Sequence, residues 1–264
     1  MGITQAIIEK IFKSASSVTS EREMSFLDHL EELRKQIIKM IIGILVATAL
    51  CIFFADFIVQ TILLNPLRSV GLKAQVLSPY GIVMLYMETI LICGVILSMP
   101  YTIYCLWKFV APGLLPKERQ YITRIVFFTS FCFFTGIIFG YYILLPAALT
   151  FFSTFGTQNI ELHVALDQYV SFMLALLLGA GLVFELPMIS YFLSKMGILT
   201  PAFMRKYRRH AIVVILIIAA VVTPTPDMVT QTLLALPMFI LYEVSIFVSK
   251  FAQKKKPPSS ENAL

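Results

Sequence analysis

Charged residues are spread so unevenly that their absence divides the chain. No charge occurs from Met40 to Ala55, between Lys39 and Asp56. Between Lys73 and Lys108 the only charge is Glu88, between Arg124 and Glu161 there is none, and between Asp167 and Lys195 there is only Glu185. Arg209 and Asp227 enclose the apolar stretch Ala211 to Val222, and from Met228 to Ser249 only Glu243 is charged. A helix rising 1.5 Å per residue needs about 20 residues to cross about 30 Å of hydrocarbon. The pattern therefore predicts six spans: 37–57, 80–107, 122–151, 168–194, 207–223 and 228–249. The last two are anomalous. Ala211 to Val222 reaches only about 18 Å as a helix, and Thr223 to Asp227 leaves room for a turn and no loop. They read either as two short spans in a locally thinned bilayer or as a re-entrant or buried helix pair.

Composition sharpens this picture. Hydrophobic residues make up 58% of the 264 positions and charged residues 14%, against about 25% charged in soluble domains. A soluble enzyme and a disordered chain are both excluded. The net charge of +6 could point to nucleic acid, but position decides otherwise. Of 21 Lys and Arg residues, 19 fall before the first span, in the second and fourth loops and in the tail, while two (Arg68, Lys73) fall in the first loop. The positive-inside rule then puts both termini in the cytoplasm. The alternation persists through the last pair, which favours two true spans. The basic residues are topological signals without a basic-aromatic platform, so no nucleic-acid partner is expected. Residues 252–264 read as a disordered tail beside anionic lipid headgroups. Residues 1–23 lack the apolar core of a signal peptide; Ile3, Ile7, Ile8, Ile11 and Phe12 share one helical face, as in an interfacial helix or a surface-packed one.

The chemistry of an enzyme is missing. His29, His163 and His210 lie outside the spans and lack metal-ligand spacing. No phosphate loop or metalloprotease motif occurs, so no cofactor or metal is expected. Cys51, Cys93, Cys105 and Cys132 lie in apolar runs and read as small hydrophobes.

A few polar residues do not fit a plain bundle. Glu185 lies deep in the fourth span, and Pro187 leaves the carbonyl of Val183 without its helical donor. A charged group at that depth costs at least about 2.5 kcal/mol. Two readings stand: a protonated Glu hydrogen-bonded inside the bundle, or a wet notch open on one side. Glu88 and Glu243, nearer their span ends, read as snorkelling or interhelical hydrogen bonding. Asp227 and Thr230 read as helix caps, with Gln231 one turn deeper and able to bond a helix of another subunit. On the basic face, Glu32 in His29-Leu-Glu-Glu-Leu-Arg-Lys35 and Glu118 between spans two and three are acids among cations. Glu118 could simply serve a helix N-terminus behind Pro116. Two carboxylates on separate short elements could also each clasp a guanidinium.

Five stretches carry a resemblance: FLDHLEELRK (26–35), NPL (65–67), FVAPGLLPKE (109–118), GAGLVFELP (179–187) and TPTPDMVTQTLLALPMFILYE (223–243). In this order the chain, from about Met24 to Phe251, resembles the TatC family, the multispanning receptor subunit of the twin-arginine protein translocase. The resemblance implies an all-α, six-span, concave, cup-like fold with cytoplasmic termini in the bacterial inner membrane. It implies binding of twin-arginine signal peptides on folded cargo, self-association in a larger complex with single-span TatA-type and TatB-type subunits, and use of the proton-motive force. Carried over by motif, Glu118, Phe109, Pro112 and Leu114 match the signal-binding loop. Glu32, flanked by His29, Leu33 and Arg34, matches the second acidic contact. Glu185 beside Pro187, Gln231 beside Asp227, and Pro66 match the groove and partner-helix positions. Where relatives often carry a second basic residue, this chain has Gln36. The competing reading is a secondary transporter or ion channel using Glu185 and Glu88, which would be expected to show inverted repeats; one Pro-broken Glu helix has no convincing duplicate.

Overall fold

The computed structural model describes residues 26–110, 122–154, 163–222 and 228–254. Over the described residues, each charge-poor run is mainly helical. Helix α1 (Phe26–Phe53) is followed by one turn at Ala55–Phe57, a π-helical stretch Ile58–Leu63 and α2 (Leu64–Ser69). Strand β1 (Lys73–Gln75) leads to α3 (Gly81–Val110). Then come α4 (Ile122–Phe139), a second π-helical stretch Gly140–Leu144, and α5 (Leu145–Thr154). Strand β2 (His163–Ala165) opens α6 (Leu166–Val183), which continues past a turn as α7 (Leu186–Lys195). Helices α8 (Pro201–Lys206), α9 (Arg208–Val222) and α10 (Met228–Lys254) complete the described chain.

Among the described residues, five helical stretches are long and apolar enough to cross a membrane: His29–Phe53, Gly81–Val110, Ile122–Thr154, Leu166–Lys195 and Leu234–Ala252. Helix α9, with 15 residues, is the short element that the charge pattern predicts. The sixth stretch differs from its expected shortness: α10 runs 27 residues. It continues as helix beyond the apolar run and three residues into the stretch expected to be a disordered tail. An all-α fold needs one correction as well. β1 and β2 pair in parallel, Lys73 opposite His163 and Gln75 opposite Ala165. This pairing brings the loops before α3 and α6 together, so these two helices start on the same side.

Burial follows lipid logic. Helix α6 supplies the largest share of the core, with Tyr169, Val170, Met173, Leu174 and Ala180 all buried, and α3, α4, α9 and α10 pack against it. Ile41, Ile42, Leu45, Phe53, Phe127 and Phe131 point outward and exposed, as residues that face acyl chains do. Small residues let helices approach closely. A Cβ on Gly136 would stand 2.7 Å from the Ala180 carbonyl oxygen, and one on Gly94 would stand 2.7 Å from Thr48 Cα. Those contacts fix α4 against α6 and α1 against α3.

Each π-helical stretch leads into a proline, Pro66 or Pro146. Pro66 has no N–H to aim at the carbonyl of Ile62. The Tyr141 hydroxyl donates to that carbonyl at 2.9 Å, and the Tyr169 hydroxyl donates to the Leu63 carbonyl at 2.8 Å. The two tyrosines tie this irregular stretch to the third and fourth apolar segments.

Candidate signal-peptide site and intramembrane polar groups

The start of α1 and the end of α3 meet. Gly43 faces the Tyr101 ring and Gly94 faces Thr48, so the helices run antiparallel and the first turns of α1 reach the last turn of α3. There the His29 ring stacks on Phe109, centroids 4.4 Å apart and planes 22° apart. Glu32 lies three residues after His29, on the same helical face, and is half-buried. Gln36 Nε2 donates to Glu32 Oε1 at 2.5 Å. Its neighbour Glu31 instead pairs with Lys35 at 2.8 Å. Leu33 is half-buried and Arg34 exposed. The structure thus brings together His29, Glu32 and Phe109. Glu118, Pro112 and Leu114 lie outside the described residues, which resume at Ile122. Gln36 carries a contact to Glu32 that its place in the sequence did not single out. The i,i+4 spacing of Glu32 and Gln36 was the available signal.

Glu185 occupies the turn between α6 and α7, where the backbone bond from Glu185 N reaches Leu182 O and Pro187 starts the next helix. It is 6% exposed, and neither carboxyl oxygen has a hydrogen-bond partner. Among the described residues no hydrogen bond reaches the side chain, and it is not part of the lining of an apolar groove in the bundle. That groove, about 710 Å³, is lined almost wholly by apolar side chains, among them Phe54, Ile58, Cys93, Phe134, Tyr141 and Met173. Glu185, Pro187, Pro66 and Gln231 are not part of its lining. Pro187 and Pro66 are buried in helix packing.

Glu88, Glu243 and Gln231 each have a partner within the chain. Ser171 Oγ donates to Glu88 Oε2 at 2.7 Å, joining α6 to α3. Arg208 pairs with Glu243 at 2.8 Å, joining α9 to α10. Both acids make interhelical bonds, one of the two roles their positions allow. Gln231 Nε2 donates to the Leu216 carbonyl at 2.9 Å, a bond that closes the α9–α10 hairpin on itself. Asp227 lies outside the described residues. Among the described residues no three His, Cys, Asp or Glu side chains gather as a metal site would require, and all four cysteines are free.

This architecture has known counterparts. A family model described as Sec-independent protein translocase protein (TatC) matches residues 28–237. The Sec-independent protein translocase protein TatC of Carboxydothermus hydrogenoformans is 36% identical over 236 residues, covering 89% of this chain and 97% of that protein. The TatC of Helicobacter pylori is 38% identical over 234 residues, covering 89% of this chain and 90% of its own. A chloroplastic TATC of Pisum sativum is 34% identical over 251 residues, covering 95% of this chain and 71% of its own. A crystal structure of the twin arginine translocase receptor TatC superposes with a TM-score of 0.78 at 32% identity, covering 85% of this chain and 99% of that one. With the family model spanning most of the chain, and relatives and a solved fold matching nearly end to end, the chain belongs to the TatC family.

Proposed function

We propose that the protein is the signal-peptide receptor and core subunit of a twin-arginine translocase, moving folded proteins across a membrane with the proton-motive force and without a nucleotide. One observation carries this reading: at the junction of α1 and α3, a half-buried carboxylate, Glu32, stands beside the stacked His29–Phe109 pair in a family member. The pair lies two residues before the segment that holds Pro112, Leu114 and Glu118. Glu32 and Glu118 each receive one guanidinium of the paired arginines, with about 1.5–3 kcal/mol per charge-assisted contact. A lysine lacks the planar fork and is discriminated against.

The chain crosses the membrane six times with both termini in the cytoplasm. The 19-to-2 split of basic residues supports this, as does the β1–β2 pairing, which brings the starts of α3 and α6 together on one side. Single-span TatA-type and TatB-type helices dock against the apolar groove and at the half-buried Gln231, and several copies assemble in the bacterial inner membrane. The test is photocrosslinking of a twin-arginine peptide to the purified protein. Glu118→Ala should abolish the crosslink, and an undiminished crosslink would refute the assignment. Glu185→Ala should keep the crosslink but impair transport in vesicles, so equal loss of both would refute the division of roles.

A further inference from the structure

Gln36 is the odd member of the seam between α1 and α3. It lies seven residues before Gly43 and eleven before Ala47, on the α1 stripe that faces α3. The rest of that stripe (Gly43, Ala47, Cys51) is small and apolar, whereas Gln36 places an amide there with none of its surface exposed. One end of the amide is used: Nε2 donates to Glu32 Oε1. The other end, Oε1, is buried without a partner. An unpaired buried carbonyl weighs against the fold, and an apolar side chain of the same shape would fill the seam at least as well. What the amide does that such a side chain could not is hold a carboxylate.

The neighbouring acid shows what kind of hold this is. Glu31 is bridged by Lys35, with both side chains more than half exposed, so its charge is compensated on the solvent side. Glu32 is held by a neutral donor that orients the carboxylate and leaves its charge intact. We infer that Gln36 is a positioning residue for signal recognition: it locks the Glu32 rotamer so that the second carboxylate oxygen is presented to a guanidinium. This rests on the reading of Glu32 as a signal-peptide contact and adds what keeps that contact ready. A side chain ordered in advance loses less freedom when the ligand arrives.

The experiment uses the full-length protein in lipid nanodiscs and the dissociation constants of two labelled peptides, one with Arg-Arg and one with Lys-Lys. Gln36→Met, which keeps the shape and removes the donor, should weaken the Arg-Arg peptide about tenfold (about 1.4 kcal/mol). It should leave the Lys-Lys peptide nearly unchanged and the melting temperature the same or higher. Glu32→Gln should also weaken the Arg-Arg peptide, and Gln36→Met should add nothing in that background. If Gln36→Met leaves the Arg-Arg affinity unchanged, weakens both peptides equally, or adds its full loss to Glu32→Gln, the inference is overturned while Glu32 stands. If Glu32→Gln has no effect, the reading of Glu32 is overturned and the inference falls with it.

Discussion

Replacing Gly94 by alanine adds one methyl group at the tightest point of the α1–α3 seam. Its Cβ would stand 2.7 Å from Thr48 Cα and 2.9 Å from Thr48 Cβ. A backbone atom cannot rotate aside, so the two helices must separate by about 1 Å to reach the 3.5–4.0 Å at which carbon atoms attract. Overpacking of this kind costs about 1–3 kcal/mol. The better helix propensity of alanine returns about 1 kcal/mol at most, which leaves a net loss of up to about 2 kcal/mol. The free cysteines provide the assay, because Cys51 and Cys105 are buried and react with a thiol-specific dye only as the bundle opens. In detergent, Gly94→Ala should melt roughly 2–6 °C below the parent. It should also capture a twin-arginine peptide less well, since the same seam sets Glu32 and His29 of α1 against Phe109 of α3. A melting temperature unchanged or raised would refute the claim that contact with Thr48 limits the helix separation.

Three further outcomes test the remaining structure. Tyr169→Phe removes the hydroxyl that donates to the Leu63 carbonyl; it should lower stability by about 0.6–1.7 kcal/mol, read by the same thermal ramp, and no change would mean that this bond does not secure the π-helical stretch. Glu185→Leu replaces a buried carboxyl that has no partner with an apolar side chain of similar size, so the melting temperature should rise; a fall would reveal a bond to Glu185 that the fold depends on. Arg208→Ala breaks a pair whose two side chains are 48% and 36% exposed; a double-mutant cycle with Glu243→Ala should return a coupling of only about 0.2–1 kcal/mol, and a coupling several times larger would mean the pair is far better shielded from water.

Much of the fold was legible because hydrocarbon excludes charge. A long run without Lys, Arg, Asp or Glu favours a helix there, and over the described residues each such run is mainly helical. Helix ends were less legible. α1 begins eleven residues before its expected span, because Glu31–Lys35 and Glu32–Gln36 extend the helix by i,i+4 contacts that a hydropathy reading does not weigh. The three-residue strands β1 and β2 are too short to show alternation, and only the approach of two distant loops creates them. Pro187 announced the break after Val183, but the sequence had no way to show that Glu185 would end up buried without a donor. Gln231 looked outward by position, yet a carbonyl of its own hairpin lay within reach. Local spacing placed His29 near Glu32; the stacking of His29 on Phe109 depends on how α1 and α3 pack, which no single helix encodes.

The proposed guanidinium-specific receptor site lies at the α1–α3 junction. The most direct measurement is the affinity of the purified, full-length protein for a signal peptide bearing Arg-Arg and for the same peptide bearing Lys-Lys, at equal ionic strength. The account predicts that the Arg-Arg peptide binds and that the double lysine substitution, which removes two charge-assisted planar contacts, weakens it by at least about tenfold. Equal affinity for both peptides would contradict it.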